Sequence, residues 1–173
     1  AELGAAIVNS MGSGSLPPVG FNYGRLFILP KDDSCTIDKT RPISVTDSFN
    51  RLVATCMVRV LTPAFDYLIG DWQRGFVGGR VGTDHVHSLT GDFYRKLNMR
   101  QQHHVLLLDI KRAFDSVAHS FIHAVLETIG LDLWARLVIK GLLHVIRVIP
   151  QLAMATDHCI RIGRGVKQGC PLS

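Results

Sequence analysis

Hydrophobic residues recur at helical spacing in four stretches of the chain. The first stretch begins after Phe49, can be capped by Thr46, Asp47 or Ser48, and is expected to be interrupted at Pro63. Its predicted apolar face consists of Leu52, Val53, Cys56, Met57, Val60 and Leu61.

A second helix is predicted from Thr83 or Asp84 to about Leu97, and its apolar stripe is expected to lie in the core. This stripe consists of Val86, Leu89, Phe93 and Leu97. A third helix is predicted to close at Gly130, and a fourth is predicted from Asp132 to about His144. Their apolar residues are Phe121, Ile122, Val125, Leu126 and Ile129 in the third, and Trp134, Leu137, Val138 and Leu142 in the fourth.

Short strands are predicted where branched and aromatic residues stand between turns. Residues 25–29 and 41–45 flank a polar turn, which predicts a hairpin with a basic tip. Residues 105–108 are a continuous apolar run, which is typical of a strand buried on both faces. Residues 152–155 and 159–162 predict a second hairpin. Helices on one face of a small, mostly antiparallel sheet make an α+β fold.

The first 24 residues contain the sequence MGSGSLPPVG, and this composition predicts a flexible N-terminal segment. Residues 25–173 are then expected to form one domain, since 173 residues with 47% hydrophobic content suffice for one core. The chain lacks an initiator Met and stops inside a recognisable motif. We therefore interpret it as a piece of a longer protein.

The net charge of +5 and the pI of about 9.3 favour a polyanionic partner such as nucleic acid. The cations are scattered, so no basic tail is predicted. Four cysteines without C-x-x-C spacing are expected to be reduced thiols. No window is long and apolar enough to span a bilayer, and the N-terminus lacks a basic region followed by an apolar stretch. We therefore expect no membrane contact and an intracellular location, in the nucleus or cytoplasm.

The strongest motif is the run VLLLDIKRAFDSV, in which Asp109 follows the predicted buried strand. A buried carboxylate is costly unless a cation meets it. A divalent metal is one such cation, and pairing with Lys111 or Arg112, or capping of a turn, is the alternative. Four further motifs accompany it: LPK at 29–31, RPIS at 41–44, QRGFVGGR at 73–80 and GVKQGCPLS at 165–173.

These five motifs, in this order, resemble those of reverse transcriptases, in the wording typical of non-LTR (LINE-type) retrotransposons. The resemblance covers residues 25–173 and implies the fingers and part of the palm of a right-hand polymerase. It implies RNA-directed DNA polymerase activity in the complete protein, by nucleotidyl transfer at two Mg²⁺ ions or Mn²⁺ in their place. The implied partners are an RNA template, a DNA primer and deoxynucleoside triphosphates.

The resemblance assigns Asp109 as the catalytic carboxylate between both metals, with the Ile110 carbonyl as a further metal ligand. The family's other two aspartates belong to an aromatic-x-Asp-Asp hairpin, expected in a missing C-terminal part beyond Ser173. The fragment alone is therefore expected to be inactive. Asp115 is expected to cap and brace the turn after Asp109.

The remaining roles are also implied by the resemblance. Phe114 is the expected gate against a ribose 2′-hydroxyl, and Ala113 leaves room beside the sugar. The other expected nucleotide-binding residues are Lys31 and Arg41 on the triphosphate, and Gln168 and Gly169 against the base pair. Thr40 stands where the family has an aromatic residue. Expected nucleic-acid contacts are Gln73, Phe76 and Arg80 along the template, and Arg164 and Lys167 on backbone phosphate.

Two other functions are compatible with the sequence. The first is a non-catalytic nucleic-acid-binding remnant of a decayed or domesticated retroelement, although Asp109, Phe114 and Gln168 are intact. The second is an unrelated metal-dependent phosphotransferase, which would need further acidic ligands among Asp66, Asp71, Asp84 and Asp92. His119 and His123 share a helix face, but Ser120 stands where a zinc-protease motif needs Glu.

Overall fold

The computed structural model describes residues 2–33, 36, 39–102, 104–151 and 158–173. These form two units, of which the first comprises Ala1–Val60 and Lys111–Ser173 and the second Leu61–Ile110. The described helices are α1 (Glu2–Gly12), α2 (Ser48–Leu68), α3 (Thr83–Asn98), α4 (Ala113–Ser116), α5 (His119–Thr128) and α6 (Leu133–Leu142). Among the described residues, no helix combines the length and apolarity needed to cross a membrane.

A four-stranded sheet forms the framework of the first unit. Its strands are β1 (Tyr23–Pro30), β2 (Thr40–Thr46), β3 (Ile146–Pro150) and β4 (Ile160–Ile162), in the spatial order β2-β1-β3-β4. The pairs β1–β2 and β3–β4 are antiparallel, whereas β1 and β3 run parallel. The α+β class, the mostly antiparallel sheet, the first hairpin and the strand ending at Ile162 are therefore confirmed. The predicted strand at 152–155 lies outside the described residues.

The N-terminal helix α1 corrects the prediction of a flexible segment over Glu2–Gly12. Met11 of α1 is 1% exposed and packs closely against α6. A Cβ added to Gly141 of α6 would come within 2.6 Å of the Met11 sulfur. Gly12 lies so close to the Trp134 indole that a Cβ there would overlap it. The prediction was wrong because it was based on the composition of the whole segment. The Gly, Ser and Pro residues lie mostly after Ser10, and the residues before it are largely apolar.

The core of the first unit is formed by side chains from α1, α2, α6 and β3. Its most buried members are Met11, Ala54, Val138, Ile146 and Val148. Helix α6 begins at its predicted cap, where Oδ1 of Asp132 accepts a hydrogen bond from the Trp134 amide at 2.8 Å. The same arrangement starts α2, where Oδ1 of Asp47 accepts from the Phe49 amide at 2.8 Å.

Pro63 does not interrupt α2, which corrects the sequence prediction. A proline removes one N–H donor from a helix, and the remaining backbone bonds of this 21-residue helix continue on either side of it. The helix therefore extends to Leu68.

In the second unit, two regions that were predicted to be buried are exposed. The α3 stripe, expected in the core, is 42–61% exposed at Val86, Leu89, Phe93 and Leu97. Residue Gly82 precedes α3, and no side chain caps it. Residues 105–108 form no strand, and their side chains are 50–84% exposed. A strand is buried on both faces only when it lies between paired neighbours, and no described strand pairs with these residues.

Candidate nucleotide-binding site

A cavity of about 550 Å³ in the first unit gathers residues from the β1–β2 hairpin, the α4 turn and the C-terminal loop. Its lining residues are Leu26, Ile28, Lys31, Thr40, Arg41, Pro42, Arg112, Asp115 and Gln168. The structure thus brings together Lys31, Arg41 and Gln168, which the sequence had singled out. It adds Arg112, which the sequence analysis had considered only as a partner for Asp109, and Asp115, which it had considered structural.

The hairpin register places the two predicted phosphate-binding cations near the hairpin tip, and both line the cavity. Leu29 lies opposite Arg41, and Pro30 lies opposite Thr40, so Lys31 follows directly on the last pair. The Lys31 amide donates to the Lys39 carbonyl at 2.8 Å, which closes the tip. Both cationic side chains are exposed. They are therefore accessible to a phosphate group from solution.

Gln168 is held through both its backbone and its side chain. Its carbonyl accepts a hydrogen bond from the Ser44 amide of β2 at 2.8 Å. Its side-chain nitrogen Nε2 lies 3.3 Å from each carboxylate oxygen of Asp115. The next residue, Gly169, has φ +108°, and a Cβ there would come within 2.9 Å of the Ser44 carbonyl. Glycine is therefore required for the loop to approach β2 this closely.

The α4 turn is hydrogen-bonded to the same loop. The Val166 amide donates to the Phe114 carbonyl at 2.9 Å, and the Gly165 amide donates to the Val117 carbonyl at 2.7 Å. Arg112 precedes α4 with a left-handed backbone at φ 53°. Ala113 and Phe114 are half-buried in this turn and are not among the described residues that line the cavity. Their sugar-gating role stays a prediction.

Lys167 is buried, which corrects the expectation that it contacts nucleic-acid phosphate. It is 4% exposed, and its Nζ lies 3.4 Å from Oδ1 of Asn50. The side-chain nitrogen Nδ2 of Asn50 donates to the Phe21 carbonyl at 3.1 Å and to Oδ1 of Asn22 at 3.0 Å. Burial lowers the pKa of the Lys167 amine, and the nearby Cys170 partly opposes this shift.

The sequence analysis missed this buried polar cluster, although one signal was present. Asn50 stands at helical spacing from Val53, Ala54 and Met57, all of which are buried. A polar residue on the apolar face of a helix indicates a buried hydrogen-bond network. Arg164, the other residue expected on phosphate, is exposed, and its contact stays a prediction.

The remaining candidate residues lie in the second unit. Asp109 and Ile110 are exposed. Gln73 donates through Nε2 to the Gly75 carbonyl at 2.8 Å, and Phe76 is 96% exposed. Arg80 donates to the carbonyls of Ile69, Gly70 and Gln73 at 2.7–3.1 Å. Arg80 therefore holds the segment that follows α2, and contact of these residues with a template stays a prediction.

Residues 29–173 match the family described as reverse transcriptase (RNA-dependent DNA polymerase). The chain belongs to the reverse transcriptase family. It is 33% identical over 163 residues to the retrovirus-related Pol polyprotein from type-1 retrotransposable element R2 of Popillia japonica, across 90% of this chain and 22% of that protein. It is 26% identical over 159 residues to the transposon TX1 uncharacterized 149 kDa protein of Xenopus laevis, across 90% of this chain and 12% of that protein.

These similarities confirm the resemblance to reverse transcriptases of non-LTR, LINE-type retrotransposons and the class of RNA-directed DNA polymerase. The chain spans less than a quarter of the length of either relative. Reverse transcriptases as a family act on nucleic-acid templates with nucleotide substrates and use divalent metal ions.

The described residues of this reverse transcriptase chain do not by themselves fit a two-ion site. They contain no group of three or more His, Cys, Asp or Glu side chains that could hold a metal ion. Asp109 is exposed, and Asp115 accepts hydrogen bonds from Gln168. A pair of divalent ions needs several carboxylate oxygens. The described residues therefore supply too few carboxylate ligands for two such ions.

Proposed function

We propose that this chain is the nucleotide-binding part of an RNA-directed DNA polymerase from a non-LTR retrotransposon, and that its cavity takes the incoming deoxynucleoside triphosphate. The observation that supports this most directly is the convergence of Lys31, Arg41 and Arg112 on one cavity. A triphosphate carries several negative charges, and guanidinium groups bind phosphate oxygens in pairs while lysine supplies a compact charge.

We propose further that Gln168 and Gly169 lie against the base pair, with Ala113 and Phe114 beside the sugar. Gln73, Phe76, Arg80 and Arg164 are proposed to contact the RNA template or DNA primer. The net charge of +5 supports a polyanionic partner. Asp109, with the Ile110 carbonyl, is proposed as this chain's contribution to a Mg²⁺ or Mn²⁺ site.

We also propose that the 173-residue chain does not polymerise by itself. In polymerases of the two-metal type, divalent ions stabilise the charge that develops as a 3′-hydroxyl displaces pyrophosphate. One carboxylate, Asp109, cannot hold two such ions. Primer extension by the isolated chain would contradict this.

The proposed nucleotide site is tested by titrating the chain with dTTP and following backbone amide signals by NMR. We expect Arg41→Ala and Lys31→Ala each to weaken dTTP binding about tenfold or more, since a hydrogen bond to a charged group contributes about 1.5–3 kcal/mol. Lys140→Ala is the matched control, because Lys140 is an exposed cation on α6 that does not line the cavity.

Equal dTTP affinity in the wild-type chain and in Arg41→Ala would show that dTTP does not bind in this cavity. Binding of a single-stranded oligonucleotide without any dTTP binding would instead favour a non-catalytic nucleic-acid-binding protein.

A further inference from the structure

We infer that Asp115 is a positioning residue, which fixes the Gln168 side-chain amide so that its carbonyl oxygen Oε1 is presented to the nucleotide. The inference rests on the proposed nucleotide site. It gives Asp115 a part in substrate selection beyond the bracing of a turn.

The chemistry of the two side chains determines which way the amide faces. An ionised carboxylate only accepts hydrogen bonds, whereas a glutamine amide has a donating nitrogen and an accepting oxygen. The Nε2 atom of Gln168 lies 3.3 Å from both Oδ1 and Oδ2 of Asp115. The amide nitrogen of Gln168 therefore faces Asp115. The amide oxygen Oε1 is left to accept a hydrogen bond from another group.

The backbones on both sides of this contact are already fixed. The Ser44 amide holds the Gln168 carbonyl at 2.8 Å, and the Val166 amide holds the Phe114 carbonyl at 2.9 Å. The Asp115 amide donates to the Arg112 carbonyl at 3.0 Å. Because the main chain is held, only the orientation of the Gln168 side-chain amide can change. Its hydrogen bonds to Asp115 determine that orientation.

The charge of Asp115 also affects how a triphosphate can bind in the cavity. Three cations and one carboxylate are among its lining residues. The carboxylate repels phosphate whereas Lys31, Arg41 and Arg112 attract it, so we expect the triphosphate to contact the cations and not Asp115. The Asp115–Gln168 pair therefore meets the nucleoside portion, where Oε1 selects a group that donates a hydrogen bond. A nucleotide without such a donor leaves this acceptor unpaired and binds less well.

The first test observes the amide directly in the free chain. The side-chain ¹⁵N–¹H signals of Gln168 are assigned by their loss in Gln168→Ala and compared between wild type and Asp115→Ala. We expect Asp115→Ala to shift these signals while the Ser44 backbone amide signal stays in place. Asp33→Ala, which removes an exposed acid near the hairpin tip, is the matched control and should leave them unchanged.

The second test separates the nucleoside portion from the phosphates by comparing dTTP with inorganic triphosphate. Loss of the Asp115 charge should strengthen binding of both probes, so the ratio of their dissociation constants is the informative quantity. We expect Asp115→Asn to reduce the preference for dTTP about two- to tenfold, the range of one hydrogen bond. In the Gln168→Ala background, Asp115→Asn should have no further effect on this ratio.

The outcomes distinguish the inference from the function on which it rests. If both probes bind but the ratio and the Gln168 signals are unchanged in the Asp115 variants, the inference is wrong and the nucleotide site stands. Independent, additive effects of Asp115→Asn and Gln168→Ala on the ratio would also overturn it. If neither probe binds the wild-type chain, the proposed function fails, and the nucleoside part of the inference fails with it.

Discussion

The Lys167 amine lies 3.4 Å from the side-chain oxygen of Asn50 and is almost completely removed from water. Among the described residues, its hydrogen-bond partner is the neutral amide of Asn50, so the charged form of the lysine is less favourable in the folded chain than in the unfolded chain. This is why burial lowers the pKa of Lys167 below its ordinary value. The lowered pKa makes the stability of the fold depend on pH.

The first prediction concerns that dependence. Because the folded pKa of Lys167 is lower than the unfolded one, the unfolded chain binds more protons between the two values. The free energy of unfolding should therefore increase as pH rises from the folded pKa toward the ordinary lysine pKa. It should decrease as pH falls through the same range. Denaturant unfolding across this range should show a smaller rise with pH in Lys167→Met than in the wild type.

The control for this prediction is Lys140→Met, which changes an exposed lysine on α6. Its pH dependence should match that of the wild-type chain. Identical slopes in Lys167→Met and the wild type would mean that Lys167 reaches water in solution.

The second prediction uses two glycines of one loop. Gly165 has φ +79°, and a Cβ there would come within 2.6 Å of the Asp115 backbone, whereas a Cβ on Gly163 would have no heavy atom within 4 Å. Gly165→Ala should lower the free energy of unfolding by about 1–3 kcal/mol, through backbone strain and overlap. Gly163→Ala should change it by less than about 0.5 kcal/mol. Equal melting temperatures for the two variants would contradict the close contact between the loop and the α4 turn.

The third prediction concerns Asp109 in a polymerase-competent protein that contains this chain. Asp109→Asn should abolish nucleotide incorporation in a primer-extension assay and leave RNA binding in a filter assay largely intact, because it removes the carboxylate proposed to hold the metal ions. Asp66→Asn, at an exposed acid of the same unit, is the control and should retain activity. Loss of activity only in Asp66→Asn would favour an unrelated phosphotransferase site.

The fourth prediction concerns the choice of sugar. In the same polymerase-competent protein, Phe114→Ala should increase incorporation of ribonucleotides relative to deoxyribonucleotides, because a rigid ring no longer fills the space of the 2′-hydroxyl. Phe121→Ala, at an aromatic residue of α5 that is 63% exposed, provides the control. An unchanged ratio of kcat/KM values for the two sugars would leave Phe114 as an ordinary part of the turn.

The sequence predicted features whose partners lie close along the chain. The β1–β2 hairpin follows from local turn signals, and Lys31 and Arg41, which the resemblance assigned to the triphosphate, flank its tip. By contrast, β3 was missed because its apolar residues follow directly on the pattern of α6 and its parallel partner β1 is distant in sequence. The Asp115–Gln168 contact was missed for the same reason, since its members lie 53 residues apart.

In the second unit, the predicted burial was wrong both for a helix that forms and for a strand that does not. Helix α3 has the expected position, yet Phe93 is 49% exposed, and Leu107 of the expected strand is 84% exposed. Periodicity identifies the face of a helix or strand that is apolar, but the element that covers that face is a tertiary feature. The hydrophobic pattern of the sequence alone therefore did not determine whether these apolar faces are buried.

The parallel pairing of β1 with β3 has a consequence for synthesis of the chain on the ribosome. Arg147 pairs with Tyr23, 124 residues earlier, so one edge of β1 stays unpaired while the intervening residues are made. At about 5–20 residues per second this interval lasts on the order of ten seconds. During that time the nascent hairpin exposes a row of unsatisfied backbone groups, which is the kind of edge that recruits other chains. Conditions that slow translation between β2 and β3 should therefore favour aggregation of this chain over folding.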